Sequence, residues 1–432
     1  MNGRLYSANT PVRFSLISSA LMTPSSAAWS VAAHWLERIM SMQFDFTDDQ
    51  RAFRAEVRAF LQRELTPEIW AKHRDTGEQG MWSVPFTKEF RRKLGAAGYI
   101  GMGWPSEYGG GGRSRIFQAI FWDEMEYARA PGLDRSITYV PNTLLAYGSA
   151  AQKEALLPRV MRGELAWFVG YSEPEAGSDL ANVRTRASDD GDSLLVTGQK
   201  AFSSDAHMAD YSLVLARTDP ESSRHRGLTL MIVDMKAPGV NISRHPTLAG
   251  WTHHAVYFDG VRVPKSMVLG EINEGWKVVM GAIDFERAAL ASHGLVAFQL
   301  DRLLDWSRRG SGHGPAPIEE ATVQDELVRL AIESEGARLT TYWLASLHAK
   351  GLMPQHETSL AVLVKREAAR RFDASGLEML GAFGPLRHES PGVQLDGDVE
   401  LEYRDRLYFQ FAAGGFDITR NVIATRGLGL PR

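Results

Sequence analysis

The chain has 432 residues, 44% hydrophobic and 23% charged, with a net charge of -4; that is enough apolar material for two or three cored domains, and it offers no basic surface for nucleic acid or anionic lipid. It contains no cysteine, which excludes disulfides, thiolate metal sites and cysteine nucleophiles. Its 12 histidines show no metal-ligand spacing, the adjacent His253 and His254 pointing to opposite faces of a strand, and no run of about 18 apolar residues marks a membrane span.

Residues 1–41 differ in kind from the rest. Arg4, Arg13 and Arg38, many Ser and Ala and the single acid Glu37 give the look of an organellar transit peptide. The alternative is an upstream start codon, with Met40 or Met42 as the true beginning and the segment a spurious extension. From Thr47 the pattern turns helical: Thr47 and Gln50 have capping-box spacing, and Phe53, Val57, Phe60 and Leu61 recur at helical intervals. Residues 86–94 and 116–128 read the same way. The glycine cluster 109–112 between them reads as a loop, because no Gly-Lys-Ser/Thr follows and no buried strand precedes. A helix over 151–161 closes a helical first domain at 42–163.

Residues 164–273 read as sheet. Asp190-Gly191-Asp192 between two alternating runs signals a hairpin. Runs at 211–217, 227–234, 253–258 and 261–263 are short strands bounded by breakers. They follow one another without helices, which predicts an antiparallel barrel or sandwich, and no Gly-x-Gly-x-x-Gly opens a nicotinamide-binding unit. The loop 171–178 packs small residues, Pro174 and Gly177 into eight positions, so backbone N–H groups can approach a flat, polar-edged ligand. After the hairpin, Phe202-Ser203-Ser204 sets an aromatic ring beside two hydroxyls, suited to stacking on a ring and bonding to its rim.

From Glu274 the helical period returns and persists to the end as a third domain, 274–432, with a break at 310–317. Val278, Val279, Ala282, Ile283 and Phe285 bury one side of its first helix, with Asp284, Glu286 and Arg287 among them. Residues 361–380 and 407–426 supply two further long helices. The fold class read from this pattern is α+β: a helical N-terminal domain, an antiparallel β middle domain and a C-terminal helical bundle.

Several motifs together resemble the acyl-CoA dehydrogenase family: Gly-Trp-Pro-Ser-Glu-Tyr-Gly-Gly at 103–110, Ser-Glu-Pro-Glu-Ala-Gly-Ser-Asp-Leu at 172–180, Gly-Gln-Lys-Ala-Phe-Ser-Ser at 198–204, Asp-Phe-Glu-Arg at 284–287 and Tyr-Arg-Asp at 403–405. They occur in the family's order. The resemblance implies a four-helix C-terminal bundle, bound FAD, and α,β-dehydrogenation of an acyl-CoA thioester. A base removes the α-proton while a hydride leaves the β-carbon, so base and flavin must face each other across that bond.

Many members carry the base in a Glu-Gly-Thr turn near the C-terminus. The matching stretch here is Ala413-Gly414-Gly415-Phe416-Asp417-Ile418-Thr419-Arg420, where Ala413 cannot take a proton. A minority, similar to isovaleryl-CoA dehydrogenase-type members, carries it immediately before the Arg of the first C-terminal helix, which is Glu286 here. The resemblance then implies that Arg287 shapes the thioester pocket, that Asp284 is a weaker substrate contact and that Ser178 meets the pantetheine. Cofactor contacts fall to Tyr171, Ser172, Phe202, Ser203, Ser204, Gly414 and Gly415.

Phe202 and Ser204 stand where the family commonly has Trp and Thr, Glu378 where it has Gln, and its Arg-x-x-Phe-Gly has only Arg308-Arg309 before Gly310 as a counterpart. These departures leave three readings: a dehydrogenase passing electrons to an electron-transfer flavoprotein, an oxidase or flavin monooxygenase of the same fold, or a non-catalytic subunit of a hetero-oligomeric dehydrogenase. A homo- or hetero-oligomeric dimer of dimers is implied in either case. The expected place is the bacterial cytoplasm, or the mitochondrial matrix if residues 1–40 act as a transit peptide.

Overall fold

The computed structural model describes residues 45–431 apart from 75–81, 249–251, 313, 353, 355 and 413. The transit-like segment therefore lies outside the described residues. From Asp48 onward the chain forms one compact unit.

The N-terminal helices are α1 (Asp48–Glu64), α2 (Pro67–His73), α3 (Val84–Ala96), α4 (Arg115–Tyr127), α5 (Val140–Tyr147) and α6 (Ala150–Met161). In α1 the apolar positions Phe53, Val57, Phe60 and Leu61 are buried while Arg54 and Arg58 between them pair with the buried Glu124 on α4, and α3 buries Phe86, Phe90 and Leu94 at intervals of four. The glycine cluster 109–112 is a loop. α6 opens on a capping box in which Ser149 and Gln152 satisfy each other's backbone N–H. The sequence pattern had not singled out α2 or α5.

The middle of the chain holds seven strands: β1 (Trp167–Gly170), β2 (Arg186–Asp190), β3 (Ser193–Lys200), β4 (Tyr211–Arg217), β5 (Leu228–Asp234), β6 (Val240–Pro246) and β7 (Thr252–Pro264). They form one curled sheet in the order β1-β4-β2-β3-β7-β6, with β5 paired to β4. The expected hairpin β2–β3 is present, but the sheet is mixed rather than antiparallel: β1 and β4 run parallel, as do β2 and β4 at one register position. The hairpin is inserted between β1 and β4, so the chain re-enters the sheet in its original direction. A second correction concerns 253–263, where two strands were expected. They are one strand, β7, because both halves pair with β3; Asp259 and Gly260 sit opposite Thr197 as a bulge, with Gly260 at φ +59. β6 was not anticipated, since it is a mostly exposed edge strand with no apolar alternation. The sheet core is built on Val196, Val214, Met231, Val233, Val256 and Phe258, all buried.

The C-terminal bundle comprises four long helices, α7 (Gly275–Leu290), α8 (Gly294–Arg309), α9 (Ala321–Ala349) and α10 (His356–Leu380), followed by α11 (Asp398–Phe409) and α12 (Phe416–Val422). The single helix expected over 407–426 is broken between α11 and α12, where Gly414 takes φ +74 and the Phe416 N–H bonds back to the Gln410 carbonyl. Leu300, Leu303, Leu330, Ala369 and Phe372 pack the bundle core.

Among the contacts that fasten the bundle to the N-terminal helices, one requires glycine. A Cβ on Gly294 would lie 1.9 Å from the Asp123 carbonyl, so only glycine lets α8 start against α4. Beside it, the buried Asp123 carboxylate accepts from the His293 N–H at 2.9 Å and the Tyr342 hydroxyl at 2.6 Å, and meets His293 Nδ1 at 2.6 Å. Burial alone would raise the Asp123 carboxyl, but His293 and Tyr342 outweigh it and hold it below its ordinary value.

Candidate active site

The loop after β1 is held by a buried ion pair. Lys200, the last residue of β3, is fully buried, and its Nζ donates to Glu173 at 2.7 Å and to the Tyr171 carbonyl at 3.1 Å. Glu173 also accepts the backbone N–H groups of Arg184 at 2.6 Å and Thr185 at 2.9 Å. Burial pulls the Lys200 ammonium down to about 8, only partly offset by Glu173. Burial pushes the Glu173 carboxyl up, yet Lys200 and the amide donors outweigh it and leave it below its usual value. The Tyr171 hydroxyl meets that of Tyr139 at 2.5 Å. Sequence reasoning missed Lys200, Glu173 and Tyr139. The only signal for the pair was a lysine closing a strand and a glutamate opening a turn, and nothing local says that they meet.

Ser172 joins this loop to the second segment, its carbonyl accepting the Ala201 N–H at 2.9 Å. There Phe202 adopts φ +53 and is 64% exposed. A core position for this ring is thereby ruled out. Ser203 is buried, anchored by its N–H on the His254 carbonyl at 2.9 Å, while its Oγ has no hydrogen-bond partner. The Ser204 hydroxyl lies 3.2 Å from His253 Nδ1, and the His253 ring packs 4.6 Å from the Tyr408 ring on α11. His254, on the other face of β7, stacks on His207. Ser178 is exposed on the surface of the loop.

Asp284 and Glu286 lie on α7; their side chains lie outside the described part of the structure, as does Ala413. Their neighbours are informative. Arg287 Nη2 is 3.1 Å from where a Cβ on Gly414 would stand, so the C-terminal turn sits against α7 one residue from each of the two positions weighed for the base. The Gly414 carbonyl accepts from Arg366 at 3.3 Å and Thr419 Oγ1 at 2.9 Å, and a Cβ on Gly415 would clash with the Gln410 carbonyl. Asp417 and Glu378 are exposed, as are Arg308 and Arg309 at the end of α8.

Family models describe this arrangement in three consecutive parts: the acyl-CoA dehydrogenase N-terminal domain over residues 47–164, its middle domain over 169–261 and its C-terminal domain over 273–428. The chain belongs to the acyl-CoA dehydrogenase family. It is similar to acyl-CoA dehydrogenase FadE26 of Mycobacterium tuberculosis, with 37% identity over 400 residues that span 90% of this chain and 99% of the relative. Among solved structures it is similar to the Tcur3481-Tcur3483 steroid ACAD, with a TM-score of 0.84 and 34% identity over 90% of this chain and all of that one. It is also similar to a chain in the crystal structure of the ChsE4-ChsE5 complex from Mycobacterium tuberculosis, with a TM-score of 0.82 and 35% identity over 90% of this chain and all of that chain.

Acyl-CoA dehydrogenases are an FAD-dependent oxidoreductase family, and the residues of the two segments fit a flavin. An outward-facing Phe202 ring held in left-handed backbone, an unpartnered buried Ser203 hydroxyl, and Ser172 and Ser204 alongside match a flat ring with a polar rim. Among the described residues no helix is long and apolar enough to cross a membrane.

Proposed function

We propose that this acyl-CoA dehydrogenase family member oxidises an acyl-CoA thioester at the α,β-bond, with Glu286 as the base for the α-proton. The observation that carries the reading is the 3.1 Å approach of Arg287 Nη2 to the Gly414 position. It supports reading the C-terminal turn and the last turn of α7 as two walls of one place, and of the two base positions only Glu286 is a proton acceptor, because residue 413 is alanine.

In this reading Glu286 takes the proton from the α-carbon, and Arg287 and Gly414 shape the wall against which the thioester lies. Asp284 adds a weaker contact to the substrate. Tyr171, Ser172, Phe202, Ser203 and Ser204, with Gly414 and Gly415, hold FAD, and Ser178 meets the pantetheine. FAD, when bound, supplies the hydride acceptor. The Lys200–Glu173 pair keeps the loop 171–176 against the end of β3, which holds Tyr171 and Ser172 beside the segment that carries Phe202 and Ser204.

The electrons pass to an electron-transfer flavoprotein, and the chain works in a homo- or hetero-oligomer; similarity to a two-component complex supports the second form. Similarity to a structure named a steroid ACAD supports a bulky acyl group, and bacterial relatives support a place in the bacterial cytoplasm.

The test is to mix purified protein anaerobically with a panel of acyl-CoAs and follow the flavin absorbance. Bleaching should occur with at least one acyl-CoA, be lost in Glu286→Gln and persist in Asp417→Asn. The reverse pattern would move the base to the C-terminal turn, and no bleaching with any acyl-CoA would sink the reading. Peroxide formed on admitting oxygen would mark an oxidase instead of a dehydrogenase.

A further inference from the structure

Between α4, α5 and the C-terminal half of α9 lies a cavity of about 130 Å³, on the order of the space one six-membered ring needs. Trp122, Leu344 and Ala345 make its walls largely apolar. Arg115 breaks that character. Its Nη1 donates to Gln118 Oε1 at 2.7 Å and to Asn142 Oδ1 at 3.4 Å, and among the described residues no carboxylate pairs with it. A half-buried guanidinium supported only by two amide oxygens keeps donors to spare and carries an uncompensated charge.

Ser292 and His348 are further polar groups of the cavity. Ser292 is 1% exposed and its Oγ has no hydrogen-bond partner among the described residues. His348 is kept from protonating, its pKa pulled down to about 4 by burial and by Arg115. The cavity thus presents a positive charge and the Ser292 hydroxyl, and the amide oxygens of Gln118 and Asn142 that face Arg115 are neutral and do not compensate that charge.

Its place relative to the proposed base is defined by α7. Ser292 lies six residues past Glu286 in the chain, in the short break between α7 and α8. α5 lies tight on α7, since a Cβ on Gly281 would meet the Tyr147 hydroxyl at 1.8 Å. The cavity therefore sits just beyond the end of the helix that carries the base, with Ser292 in its lining.

We infer that this cavity takes the far end of the acyl group, and that Arg115 with Ser292 selects acyl chains ending in a hydrogen-bond-accepting oxygen, a carboxylate or a ketone. The inference rests on the dehydrogenase reading and adds a substrate class to it. A hydrocarbon end would leave the Arg115 and Ser292 donors unmatched, whereas an acceptor oxygen satisfies both.

The experiment is calorimetric binding of 2-enoyl-CoAs, which are products and so do not react, to the assembled flavoprotein. Three ligands of equal length end in methyl, ketone or carboxylate, and a four-carbon enoyl-CoA serves as reference. At least one oxygen-ended ligand should bind about tenfold more tightly than its methyl-ended match, and Arg115→Met should erase that difference. Preference for the carboxylate alone identifies charge pairing; equal preference for the ketone identifies hydrogen bonding. If Arg115→Met loses the flavin, Ala345→Leu, which fills the cavity from α9, takes its place and should weaken oxygen-ended ligands while sparing the four-carbon one. Equal binding of all three termini, or a preference that survives both substitutions, would overturn the inference alone; failure of every enoyl-CoA to bind would overturn the dehydrogenase reading beneath it.

Discussion

Lys200 and Glu173 form an ion pair at 2.7 Å with side chains 0% and 6% exposed, one at the end of β3 and the other in the loop after β1. The pair closes a contact that the strands themselves do not make, because β1 and β3 are not neighbours in the sheet.

Breaking the pair from one side should therefore be costly. Glu173→Gln leaves a buried ammonium without its counter-charge, and a loss of about 3–5 kcal/mol is expected in denaturant unfolding. Lys200→Met together with Glu173→Leu should cost clearly less than the sum of the two single changes, since neither charge is then stranded. Strict additivity would show that the pair is not coupled.

Asp205, directly after the Phe202–Ser204 segment, carries a carboxyl raised to about 6 by burial and by Asp134. The folded protein then holds more protons than the unfolded chain between about pH 4 and 6, so stability falls as pH rises through that window and the penalty is complete above it. Asp205→Asn should raise stability by about 1–2 kcal/mol at pH 7.5 and by little near pH 3.5. Thermal melts at the two pH values decide it, and an equal gain at both would refute the assignment.

His254 behaves in the opposite sense. Burial, and next to it the stacked His207 ring with centroids 4.6 Å apart, pull its pKa down to about 4. Here the unfolded chain binds the extra proton between about pH 6.5 and 4, so stability declines as the pH is lowered through that range. His254→Phe should flatten the decline by about 2 kcal/mol between pH 7 and 4.5. An unchanged acid slope in urea midpoints would exclude His254 as its source.

Phe202, by contrast, contributes little to the fold, being 64% exposed. Phe202→Ala should move the unfolding midpoint of the flavin-free protein by less than about 0.5 kcal/mol. Its affinity for added FAD should nonetheless fall about tenfold, an aromatic stacking contribution of order 1 kcal/mol with the buried area added. Flavin binding followed by fluorescence quenching measures it; an unaltered affinity would remove Phe202 from the cofactor site.

Much of this protein is decided along the chain itself. The run of amphipathic helices, then strands without helices, then helices again is carried by apolar spacing, because each element must bury its own face whatever it packs against. The motif segments likewise place Tyr171, Ser172, Phe202 and Arg287 without reference to one another. Tertiary structure alone decided the parallel pairing of β1 with β4, the bulge that makes β7 one strand, and the break at Gly414. The same holds for the Lys200–Glu173 pair and for an Arg115 that meets two amide oxygens and, among the described residues, no carboxylate. Each is a relation between residues far apart in sequence, where register, backbone angle and charge compensation depend on what arrives opposite; local periodicity reports which face is buried, never its partner.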